Sequence, residues 1–203
     1  MRAGTNSQRG FTLVELLIVL ALLGIILVKA TMVMTATTDV VQRESSAMMI
    51  EDHARVVLDR IALAIMACDR DSLAPILTPS HSTEVSYTFS LGVEDGAVVW
   101  ADPENIALDG AAANQVVWKQ SPDLPEERKV VWSNLVRPFL EGEVVNGVDD
   151  NGNGLVDEEG LTFYVEKNRV TIRLSIEVPG EEGQPAIQTV ETTVTVRNNP
   201  DPV

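Results

Sequence analysis

Residues 9–28 read RGFTLVELLIVLALLGIILV, and this stretch decides the architecture. From Phe11 to Val28 there are 18 residues with a single charge, Glu15. A helix rises about 1.5 Å per residue, so the run is about 27 Å long, close to the hydrocarbon thickness of a bilayer. The ten residues before it, MRAGTNSQRG, are polar and carry Arg2 and Arg9. Two basic residues on that flank predict a cytoplasmic N-terminal side, with the remainder of the chain across the membrane. A secretory signal peptide would have a shorter apolar core and a small-residue cut site after it. Here the segment that follows, VKATMVMTATTDVV, continues the helix, and no Gly or Pro occurs between Ile25 and Leu73.

Glu15 separates this span from a plain anchor. A carboxylate within a bilayer segment costs about 2.5 kcal/mol or more, so it is rarely present without a task. It lies four residues after Phe11. A cut after Gly10 would leave a free amine on Phe11, and the amine of one copy would neutralise the carboxylate of a neighbour in an apolar assembly. Such a pair fixes axial register between subunits.

The sequence RG-FTLVE, residues 9–15, resembles the type IV prepilin processing motif: Gly before the cut, Phe after it, Glu at the fifth mature position and a basic residue upstream. The resemblance covers the leader, the cut site and the apolar helix. It implies that prepilin peptidase cleaves after Gly10, that Phe11 becomes an N-methylphenylalanine, and that Glu15 serves methylation and subunit docking. Many pilins carry a proline about twenty residues into the mature chain; this one has Lys29 and Met32 in that region. Lys29 reads as a membrane-border lysine able to snorkel. The segment ARVVLDRIALAI, residues 54–65, and the strand-rich tail also resemble minor pilins and the J-type minor pseudopilins of type II secretion.

Beyond the span, Ile50, Ala54, Val57, Leu58, Ile61 and Ile65 recur at steps of three and four, one face of a helix. Asp52, Arg55 and Asp59 fall opposite, at spacings that allow intrahelical ion pairs. One helix is therefore predicted over 11–70, ending ahead of Pro75. After it come candidate strands at 85–91, 97–100, 115–119, 129–132, 161–166, 169–178 and 187–197. Lys167-Asn168 predicts a tight hairpin, residues 179–185 a looser one, and the last three strands an antiparallel meander. The fold class is α+β and pilin-like: a leader at 1–10, a transmembrane assembly helix at 11–38, and a head at 39–203. The head has an amphipathic half-helix at 39–70 laid on an antiparallel sheet within 83–197.

The chain has 203 residues and a net charge of −15, and nothing in it favours nucleic acid, whose phosphate backbone calls for clustered Lys and Arg. Its one cysteine, Cys68, allows no internal disulfide and reads as a small buried apolar residue. His53, on the helix, and His81, in a loop, lack partners at metal-ligand spacing. With no nucleophile–base arrangement and no phosphate loop, the chain does not read as an enzyme.

Residues 149–160, DDNGNGLVDEEG, match the start of a calcium loop, D-x-[DN]-x-[DN]-G. Gly154 at the sixth position permits the sharp turn that lets alternate oxygens converge. Asp149, Asn151, Asn153, the Leu155 carbonyl and Asp157 are the candidate ligands. The twelfth position is Gly160 instead of a bidentate Glu, and Glu158 or Glu159 is the candidate substitute. A structural calcium ion would pin a loop that has no disulfide to hold it.

Two functions follow. The first is a structural, minor subunit of a type IV pilus or a type II secretion pseudopilus. Its partners would be prepilin peptidase, other pilin or pseudopilin subunits and the inner membrane, with the head in the periplasm. The alternative is a non-assembling, membrane-anchored calcium-binding domain.

Overall fold

The computed structural model describes residues 12–75, 81–110, 112–179 and 185–196. Backbone contacts divide the chain into two compact units, Met1–Ser46 and Ala47–Val203. Helix α1 (Leu13–Ala67) has 55 residues and is continuous. It ends three residues before the predicted boundary. The Asp69 amide donates to the Thr88 carbonyl (2.8 Å) instead of continuing the helical ladder. A tertiary hydrogen bond, not a breaker residue, stops the helix.

In the first unit every described side chain is solvent-exposed. In the second, the predicted stripe is the buried one: Ile50, Ala54, Val57, Leu58, Ile61 and Ile65 are all in the core. Residues 40, 41, 44 and 45 are exposed, and among the described residues the buried face begins at Ile50. Arg55 pairs with Glu51 (2.7 Å), one turn earlier on the exposed side, in preference to Asp52 or Asp59. Burying each large aliphatic side chain is worth about 1.5–3 kcal/mol, so the stripe dominates what ties this helical segment to the head.

The strands are β1 (His81–Ser82), β2 (Glu84–Tyr87), β3 (Ser90–Glu94), β4 (Ala97–Trp100), β5 (Glu104–Asp109), β6 (Ala112–Gln120), β7 (Arg128–Ser133), β8 (Leu161–Glu166), β9 (Arg169–Val178) and β10 (Ala186–Thr195). All pairings are antiparallel. One four-stranded sheet has the order β1-β8-β9-β10, a second has β2-β5-β6-β7, and β3-β4 is a separate ribbon. The expected meander is present as β8-β9-β10, and Lys167 at φ 54° forms the expected tight turn. Val170, Ile172, Leu174 and Ile176 alternate into a core shared with the helical stripe, Phe163, Val85, Tyr87 and Ile106.

Three expectations needed correction. The head holds two sheets and a ribbon, not one sheet. The strand predicted over 85–91 is two strands. Its break falls at Thr88, whose N–H donates to the Ser72 hydroxyl (2.9 Å) and whose carbonyl accepts from the Asp69 amide. His81 lies in β1 opposite Tyr164, not in a loop. Strand β5 was not predicted, because ENIALD is rich in residues that ordinarily disfavour strands. Its polar side chains are satisfied across the sheet. Glu104 accepts from the Tyr87 hydroxyl (2.7 Å) and Trp118 Nε1 (2.9 Å), and Asn105 donates to Ser86 (2.9 Å).

Cys68 is fully buried just past the helix end, and burial pushes its thiol up to about 12. Alkylation needs the thiolate and access to it. At about pH 8 the folded chain is therefore expected to resist iodoacetamide and to label only in denaturant. Labelling of the folded protein at the rate of a free thiol would contradict this burial.

Candidate functional site

The N-terminal site begins at Thr12. Its carbonyl accepts from Leu16 N (3.2 Å) and its hydroxyl from Glu15 N (3.3 Å), so Thr12 caps the helix and Glu15 stands at the third position of the first turn. Thr12-x-x-Glu15 is a capping-box spacing, a signal carried by the sequence itself. A carboxylate in the first turn also faces the positive end of the helix dipole. Gly10 and Phe11, the expected processing residues, lie outside the described residues.

Leu13–Thr38 is a 26-residue segment of mean hydropathy 2.7, with none of it buried. By length and composition it is able to cross a membrane. Its threonines do not leave donors unsatisfied. Thr31, Thr35, Thr37 and Thr38 each bond back to a carbonyl one turn earlier, at 2.8 to 3.2 Å. Lys29 lies within this apolar segment.

The second candidate is the acidic loop between β7 and β8. Asp149 sits at its hub: Oδ1 accepts from Gly152 N (2.7 Å) and Asn153 N (3.2 Å), and Oδ2 from Gly154 N (2.8 Å). These amides, Gly154 first, hold the Asp149 carboxyl below its ordinary range. Gly154 at φ 90° takes the left-handed turn expected of the sixth position. Asn151 Oδ1 accepts from Asn153 N (3.0 Å), and Asn153 Oδ1 from Leu155 N (2.9 Å).

The other predicted ligands are placed differently. Asp157 turns to the opposite end of the loop, where it accepts from the amides of Asn146 (2.9 Å) and Gly147 (3.0 Å). Glu158 is fully buried and engaged on both oxygens. Oε1 takes Arg173 Nη1 (2.7 Å), and Oε2 takes the side-chain amides of Asn153 (2.6 Å) and Asn151 (3.3 Å). Burial works against the Arg173 charge, but Glu191 and Glu158 outweigh it and raise the guanidinium above its usual value. Among the described residues, no three His, Cys, Asp or Glu side chains form a metal-holding group. One carboxylate at the loop was not anticipated: Glu143, whose Oε1 accepts from Asn151 N (3.1 Å). His53 is 3.1 Å from the Ser133 hydroxyl, a structural contact.

Residues 5–28 match the family described as the prokaryotic N-terminal methylation motif. No curated protein and no solved structure matches the chain. The methylation motif includes Gly10, Phe11, the Thr12 cap and Glu15, and it ends at Val28 within the apolar span. With the α+β head, the motif supports a type IV pilin-like protein with one candidate membrane-spanning helix among the described residues.

Proposed function

We propose that the chain is a structural, minor subunit of a type IV pilus or a type II secretion pseudopilus. In this reading prepilin peptidase cuts after Gly10, Phe11 is N-methylated, and the apolar helix holds the protein in the inner membrane until it moves into a filament. The head is then periplasmic before assembly. The observation that carries the reading is the methylation motif joined to an uncovered apolar helix with Glu15 in its first turn. An apolar helix segment whose described side chains are all exposed is the kind of surface that lipid or other subunits cover. No catalytic role is assigned to any residue.

Intact mass spectrometry of membrane-extracted protein tests the reading. Removing ten of 203 residues leaves 193, and losing Arg2 and Arg9 lowers the basic count from 15 to 13 against 30 acids, for a net charge of −17. The expected species begins at N-methyl-Phe11. A chain that retains residues 1–10 in cells with active prepilin peptidase would overturn the proposal.

A further inference from the structure

We infer that the acidic loop is a calcium site assembled from two segments, with Glu143 supplying the carboxylate that the loop's own twelfth position lacks. Asp149, Asn151, Asn153 and the Leu155 carbonyl are the ligands from the loop itself. The inference does not depend on the filament reading.

Three observations carry it. The first concerns Gly160. A Cβ built there would overlap the Arg137 carbonyl oxygen, lie 2.8 Å from that carbonyl carbon and 3.0 Å from Val136 Cγ1. The same backbone is pinned by Gly160 N donating to Pro138 O (3.1 Å) and Ser175 N donating to Gly160 O (2.8 Å). No side chain fits at the twelfth position, so a glutamate there is sterically barred.

The second concerns Glu143. It is only 4% exposed, and its Oε2 is buried with no hydrogen-bond partner, while Oε1 is held against the loop by Asn151 N. Buried carboxylate oxygens are normally satisfied, and an orphan calls for a positive partner. No Lys or Arg pairs with Glu143 among the described residues. Glu158, by contrast, has its charge matched by Arg173 and no oxygen left without a donor.

The third is the donor chemistry. Calcium takes six to eight oxygens, a mixture of carboxylate, amide, carbonyl and water. An oxygen has two lone pairs, so the oxygens of Asn151 and Asn153 that accept one N–H keep a second for a cation. Two carboxylates, Asp149 and Glu143, match the charge of a divalent ion. Asp149 and Asn151 come from the loop, and Gly142 packs beside Asn151 (3.3 Å from a built Cβ to Asn151 Cβ), which brings the neighbouring Glu143 to the same place.

The test uses the full chain in detergent micelles, with calcium chloride, magnesium chloride or chelator. Calorimetric titration of the wild type is expected to give one calcium ion per chain, with Kd on the order of 10⁻⁴ to 10⁻³ M. Melting temperature should rise by roughly 3–6 °C at tenfold excess over Kd. Magnesium should do less, since it demands tight octahedral geometry. Glu143→Gln is expected to weaken calcium binding about tenfold or more, because a direct ligand matters at least as much as the groups behind it. Without calcium it should melt no lower than wild type, because the uncompensated charge is gone. A merely structural Glu143 would instead lower the calcium-free melting temperature and leave affinity intact. Asp149→Asn, on the loop surface, gives a second variant and should weaken binding as well. Coincident wild-type melting curves in millimolar calcium and in chelator would overturn the site. Wild-type affinity in Glu143→Gln would overturn the role of Glu143.

Discussion

Glu15→Ala is expected to leave membrane insertion unchanged or improved and to reduce recovery in sheared filaments about tenfold or more. Removing the carboxylate relieves a desolvation cost of about 2.5 kcal/mol or more, so insertion has nothing to lose. Assembly does. In the filament reading the carboxylate meets the amine of a neighbouring Phe11 in apolar surroundings, and stripping one partner from such a pair costs about 3–5 kcal/mol. The Thr12 cap raises a second explanation, since Glu15 also occupies the capping-box position. Glu15→Gln separates the two, because glutamine serves that position equally well but carries no charge. Quantified membrane and filament fractions of the three chains make the comparison. Filament incorporation of Glu15→Ala at wild-type levels would remove the basis for the docking role, and full activity in Glu15→Gln alone would assign Glu15 to the cap.

Gly160→Ala is expected to cost about 3 kcal/mol or more, the upper range for overpacking, because the added carbon meets backbone rather than a movable side chain. For a chain of this size that is a fall in melting temperature of roughly 6 °C or more. The damage should spread to the acidic loop, because Leu140 N donates to Glu158 O (3.0 Å) and Phe139 bridges Glu159 just before Gly160. Chelator and calcium should therefore both show the loss. Melting within about 1 °C of wild type would mean that the junction of Arg137 with Gly160 yields easily, and the steric argument against a twelfth-position glutamate would fail with it.

The helix and the meander were legible because their causes are local. The steps of three and four from Ile50 to Ile65 and the alternation Val170, Ile172, Leu174, Ile176 each repeat the geometry of one element, and every one of those residues is buried. The ribbon was partly legible. Asp95-Gly96, with φ of 51° and 82°, is the dipeptide favoured in a two-residue hairpin, yet its first strand was merged with β2. The break at Thr88 was not legible, since it depends on Ser72 and Asp69, far off in sequence. Strand β5 was hidden for the same reason: the partners of Glu104 and Asn105 lie on β2 and β6.

At the N-terminus the methylation motif and the apolar segment Leu13–Thr38 were both legible along one stretch, because each is a property of consecutive residues and not of tertiary neighbours. The acidic loop divides the other way. Its composition and the turn at Gly154 were written in residues 149–160, which local backbone geometry governs. Which carboxylate stands free was decided by tertiary structure alone. Arg173, across the sheet from Glu191, takes up Glu158; the carbonyl of Arg137 excludes a side chain at Gly160; and the turn at Gly142 brings in Glu143 with one oxygen unclaimed. Charge neutralisation and steric exclusion act between segments distant along the chain, and a linear pattern holds no record of them.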